Sequence, residues 1–129
     1  MEKYFQPEIE TASREQLLAW QNERLVKQVR HVWDNVPYYR KKMEEKGVTP
    51  DDIQGVADLH KLPFLCKDDL REAYPYGLKG APLSDCVRIP STSGTTGKRV
   101  VAFYTQHDID RWDDCCARAI VAAGGTKED

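Results

Sequence analysis

Between Ser13 and Val36 the apolar residues Leu18, Leu25, Val29, Val32 and Val36 fall at the three- and four-residue intervals that line one side of a helix. Ser13, followed by Gln16 three positions on, has the form of a capping box, and Pro37 is expected to stop the helix. Trp20 and Trp33 widen the same side and read as packing aromatics rather than ligand platforms. His31 lies beside the stripe and reads as a satisfied or solvent-facing residue. A second, short helix is expected over Tyr38–Lys46, closed by Gly47, with Lys41 and Glu45 one turn apart. The run Arg40-Lys41-Lys42, followed by Glu44-Glu45, reads as a solvated face. Thr49 as cap and Pro50 at the first helical position open a further turn. Leu62-Pro63-Phe64 is expected to be extended, because the residue before a proline avoids the α region. Lys67 to Tyr74 returns to helix and stops at Pro75. Asp68 and Asp69 could pass for a catalytic pair, but at a helix start the macrodipole accounts for them.

From Asp85 the texture changes. Cys86–Ile89 and Val100–Tyr104 are short β-prone runs on either side of a polar, glycine-containing loop. Thr105 with Asp108 then signals a helix whose apolar positions are Ile109, Trp112, Cys116, Ala119, Ile120 and Ala123. The expected fold class is therefore α/β: a helical amino-terminal region (1–82), then a β-loop-β unit and a helix (83–129), with the boundary near Pro82-Leu83.

Composition narrows the partners. With 129 residues, 40% hydrophobic and 31% charged, the chain is sized and balanced for an ordinary soluble domain, and its net charge of −2 gives no electrostatic reason to expect nucleic acid. No apolar run is long enough to cross a bilayer and the start carries no apolar signal core, so no membrane partner and a cytoplasmic location are expected. Cys66, Cys86, Cys115 and Cys116 lack metal-ligand spacing, and His31, His60 and His107 are scattered singly, so no metal site is expected and the thiols read as free.

The chemistry concentrates in the loop. Ser91, Thr92, Ser93, Gly94, Thr95, Thr96, Gly97 and Lys98 read S-T-S-G-T-T-G-K. Two glycines let successive backbone N–H groups converge on an anion, hydroxyls add neutral donors, and Lys98 adds a mobile charge. A phosphate chain suits that set. A Walker-type loop would need Gly at position 92 and Ser or Thr at position 99, where this chain has Thr92 and Arg99, and it would open a helix rather than a second strand. A passive Ser/Thr/Gly turn on a helical interaction module, using the stripe Leu18-Leu25-Val29-Val32 for a partner helix, is the alternative reading.

Three blocks in order carry a family resemblance: V-W-D-N-V-P-Y-Y-R-K (Val32–Lys41), L-P-F-L-C-K-D-D-L-R-E-A-Y-P-Y-G-L (Leu62–Leu78), and R-I-P-S-T-S-G-T-T-G-K followed by Y-T-Q-H-D-I-D-R-W (to Trp112). Together they resemble the amino-terminal part of the phenylacetate-coenzyme A ligases, in the adenylate-forming superfamily. The resemblance implies a piece of that superfamily's large domain, and an acid-thiol ligase that turns an aryl-acetic acid and ATP into an acyl-adenylate, then a coenzyme A thioester. ATP, Mg2+ and coenzyme A are the implied cofactors and substrates, with Ser91–Lys98 on the ATP phosphates and no catalytic residue in this stretch. The family's adenine- and acyl-binding segments, acidic Mg ligand and carboxy-terminal lysine domain have no counterpart here. The chain is thus expected to be an inactive fragment able to self-associate through uncovered surfaces. Arg99 departs from the family's usual proline after Gly-Lys.

Overall fold

A computed structural model of the chain describes residues 4–94, 97 and 99–126. Five helices are described: α1 (Pro7–Glu10), α2 (Arg14–Asn35), α3 (Pro37–Glu45), α4 (Lys67–Glu72) and α5 (Gln106–Ala122). Two short strands, β1 (Cys86–Arg88) and β2 (Tyr104–Thr105), form an antiparallel pair, and 3-10 turns span Pro50–Asp52, Val56–Lys61 and Leu83–Asp85. The α/β expectation holds with the balance tilted strongly to helix.

α2 starts where the sequence places it: Ser13 Oγ accepts the Gln16 N–H at 3.1 Å. Pro37 ends that helix, and it also opens the next one, because its missing N–H and fixed φ suit the first position of α3. At the far end of α3, Gly47 has φ +69°, with its N–H on Glu44 O at 2.9 Å and the Val48 N–H on Met43 O at 2.9 Å. This left-handed residue reverses the chain and returns Val48 to the helix it has just left. Val29, Met43, Val48 and Ile53 form the buried cluster, with Leu25, Trp33, Tyr39 and Leu62 packed around it. Trp33 serves as core, and the Arg40 guanidinium lies 5.7 Å from its ring centre.

Polar latches fix the segments around this cluster. Asp52 Oδ2 accepts the Thr49 N–H (2.8 Å) and hydroxyl (2.7 Å), which caps the Pro50–Asp52 turn. The Val56 N–H donates to Asn22 Oδ1 at 2.9 Å and ties the next turn to α2. Asp69 is buried and accepts the Cys66 N–H at 2.7 Å, the Lys42 ammonium and the Tyr38 hydroxyl at 2.8 Å, with Glu72 Oε2 3.0 Å from the same hydroxyl. The Cys66 backbone N–H and the Lys42 charge hold its carboxyl well below the usual carboxylate range. Conversely, the hydrogen bond to Asp69, with burial, pushes the Tyr38 hydroxyl up. Asp69 therefore has a structural role, as the sequence reading held, although its partners on α3 matter beyond the macrodipole.

The second half is a hairpin running into α5. Cys86 pairs with Thr105 and Arg88 with Tyr104, with a register shift between them, and Ser91 bridges Val101 nearer the tip. The expected strands Cys86–Ile89 and Val100–Tyr104 are thus shorter than the sequence suggested. Pro90 lies in the gap, and having no N–H it can only accept there, from Ala102 at 3.1 Å. Thr105 then caps α5, its Oγ1 accepting the Asp108 N–H. α5 contributes no buried residue: Trp112 and Ile120 are 51% and 57% exposed. A Tyr104–Trp112 ring contact (5.5 Å) fastens α5 to β2, and Tyr76–Phe103 (5.8 Å) fastens the hairpin to the front half.

Candidate functional site

The polar loop is the tip of the hairpin. The Thr92 N–H donates to Val100 O at 3.0 Å, and the Val100 N–H donates back to Thr92 Oγ1 at 3.1 Å, so a side chain completes the last rung. Beyond it the chain reverses in a turn closed by the Gly97 N–H on Gly94 O at 3.2 Å. Gly94 has φ +71° and Gly97 φ +136°, which residues with a Cβ rarely adopt. Strand-loop-strand, not strand-loop-helix, is the observed setting.

Of the eight residues singled out in the sequence, Ser91, Thr92, Ser93, Gly94 and Gly97 are brought together at this tip; Thr95, Thr96 and Lys98 lie outside the described residues. Ser91, Thr92 and Ser93 are exposed. Among the described residues, the N–H groups of Ser93 and Gly94 and the hydroxyls of Ser91 and Ser93 have no hydrogen-bond partner. Thr92 spends its N–H and one lone pair on the hairpin, while its hydroxyl proton stays available. Arg99 folds back over the turn: a Cβ built on Gly94 would lie 2.8 Å from Arg99 Cγ. The long side chain thereby lies against the backbone at Gly94.

Over 121 residues, 94% of its length, the chain is 50% identical to the phenylacetate-coenzyme A ligase of Aromatoleum evansii and 47% identical to that of Escherichia coli (strain K12). The chain is a relative of the phenylacetate-coenzyme A ligases. The Thermus thermophilus ligase is 44% identical over 120 residues. The chain spans 27 to 28% of the length of these relatives. Among solved structures, 2-hydroxyisobutyryl-CoA ligase in complex with 2-HIB-AMP and CoA superposes on 90% of the chain and 26% of its own, with a TM-score of 0.80 and 29% identity. The same ligase in its postadenylation state with 2-HIB-AMP superposes with a TM-score of 0.79 at 26% identity. The fold is that of the adenylate-forming ligases. No protein-family model matches the chain.

Elsewhere the structure groups residues that the ligase-like sequence kept apart. Among the described residues no three His, Cys, Asp or Glu side chains meet as a metal site, and the four cysteines are free. No described helix is long and apolar enough to cross a membrane. His31 and His107, 76 positions apart, line one cleft between α2 and α5 together with Arg24, Lys27 and Arg111. Sequence reading missed this group, because its members come from two helices that only the tertiary structure brings to one cleft. A helical interval joins Arg24, Lys27 and His31, and another joins His107 and Arg111; neither marks a site alone.

Proposed function

We propose that the chain is the phosphate-loop part of an AMP-forming phenylacetate-coenzyme A ligase. Aryl-acetic acid and ATP would give the acyl-adenylate and pyrophosphate, and coenzyme A would then displace AMP to form the thioester. One observation carries this: a hairpin tip with two positive-φ glycines and unpartnered hydroxyls, in a chain half identical to such a ligase. The tip's task is to hold the β and γ phosphates while negative charge moves onto the departing pyrophosphate. Preorganised N–H and O–H donors favour that charge without reorganising, and Lys98 adds a cation. The substrate carboxylate is itself the nucleophile, so none is needed here. Any Mg2+ would enter with ATP. We assign residues 1–82 to a helical amino-terminal region and 83–129 to the start of the ATP-binding region, in a cytoplasmic enzyme.

The test is a chimaera in which residues 4–126 replace the matching quarter of the Escherichia coli ligase. ATP-pyrophosphate exchange and thioester formation with phenylacetate are expected to survive. The 129-residue chain alone should release no AMP, since one phosphate loop cannot orient two substrates. A folded chimaera that adenylates no carboxylic acid, or saturable turnover by the isolated chain, overturns the proposal. Self-association of the isolated chain through α5 and the hairpin edge is expected in light scattering across a concentration series.

A further inference from the structure

Between α2 and the first turns of α5 lies an open cleft of about 540 Å3, lined by Arg24, Lys27, His31, His107, Asp108 and Arg111, with Leu25 and Gln28 also in its wall. Cations outnumber carboxylates in its lining. Arg24, Lys27 and Arg111 supply its basic side chains. The lone lining carboxylate, Asp108, is turned to its own helix end, where it accepts the Thr105 N–H at 2.9 Å and hydroxyl at 2.8 Å. Those bonds, both on Oδ2, hold it ionised, and its charge also faces His107 and Arg111. Of the nearby acids, Glu23 is paired with Lys27 at 2.6 Å and Asp110 accepts from Gln106 at 2.7 Å. Arg111 is oriented by its Nε–H on His107 Nε2 at 2.9 Å, which leaves its terminal nitrogens without a described partner. Arg24 likewise makes no hydrogen bond or ion pair with a described residue. The cleft therefore presents the Arg24 guanidinium, the terminal nitrogens of Arg111, a lysine paired with Glu23 and two imidazoles at the positive end of a 17-residue helix.

We infer that this cleft is a second anion site, for the phosphoryl group of a phosphorylated small molecule. Guanidinium groups on opposite walls match the several oxygens and double charge of a phosphoryl dianion by paired hydrogen bonds. The volume admits a pyrophosphate or a nucleotide phosphate with its sugar. This inference stands apart from the hairpin tip and does not depend on the tip binding ATP.

The experiment titrates the isotope-labelled 129-residue chain with inorganic pyrophosphate and, in a separate arm, adenosine 3',5'-bisphosphate, and follows amide and arginine side-chain NMR signals. Saturable shifts are expected at Arg24, His31, His107 and Arg111, at least as strong for the nucleotide if the natural ligand carries a base. Arg24→Gln with Arg111→Gln should weaken this binding at least tenfold, and both positions are exposed, so the fold should survive. Gly94→Val should leave the cleft shifts intact while erasing any at the tip, which separates the two sites. Binding confined to residues 91–100, or an affinity unchanged in the double variant, overturns the inference.

Discussion

Replacing Ile53 by alanine tests the small core directly. Ile53 is fully buried, and with Met43, Val29 and Val48 it forms the cluster that joins α2, α3 and the Pro50–Asp52 turn. Three carbons are removed, worth ~0.8 kcal/mol each in lost transfer free energy, and the cavity left behind raises the total to about 3 kcal/mol, inside the range for such truncations. For a chain of this size that corresponds to a fall in melting temperature of about 12 °C, at roughly 4 °C per kcal/mol. Ile53→Val should cost about 1 kcal/mol, which keeps the test graded if the alanine variant fails to fold. Ile120→Ala, at a position 57% exposed, should stay within about 0.5 kcal/mol. Far-UV circular dichroism during thermal and urea unfolding measures all three. If Ile53→Ala moves the midpoint no further than Ile120→Ala, the cluster does not hold the fold and the packing argument fails.

Three further outcomes are expected. Gly55→Ala should destabilise the chain by about 1 kcal/mol through an unpaired, half-buried donor, because the added Cβ would stand 2.5 Å from Asn22 Oδ1, the acceptor for the Val56 N–H; an unchanged melting curve would show the latch to be idle. Asp69 has a depressed carboxyl pKa, so its contribution is complete above the unfolded value of ~3.9 and is lost as pH falls below that; Asp69→Asn should flatten the loss of melting temperature between about pH 5 and 2, and an equally steep acid limb would contradict the contacts described. In the chimaeric ligase, Gly94→Val and Lys98→Ala should each slow ATP-pyrophosphate exchange, on the order of 100-fold for a lost preorganised donor, while consumption of supplied acyl-adenylate suffers much less; exchange that survives Gly94→Val would make the tip a mere turn.

Local rules made the helices legible. Ser13, Thr49 and Thr105 each cap the element they were expected to cap, because a hydroxyl or carboxylate three residues along is a short-range device. The strands were overread. Val100 to Tyr104 is rich in β-prone residues, but pairing depends on the opposite strand, and Pro90 there removes a donor that no property of Val100–Tyr104 could reveal. In the loop, the need for Gly94 and Gly97 was visible from composition, whereas the lean of Arg99 across Gly94 was not. The α2–α5 cleft was invisible for a simpler reason: nothing in a linear pattern states that His31 and His107 share a wall.

Thr105 belongs at once to the rung at the base of the hairpin and to the cap of α5, without an intervening linker. A joint with no slack transmits rotation. The 17 residues of α5 extend about 25 Å at 1.5 Å per residue, so a tilt of about 10° at this joint would carry the far end, near Ala122, through about 4 Å by the same geometry. Any rearrangement that a bound phosphate imposes on the hairpin would thus be magnified along α5, which acts as a lever whose fulcrum is a single threonine.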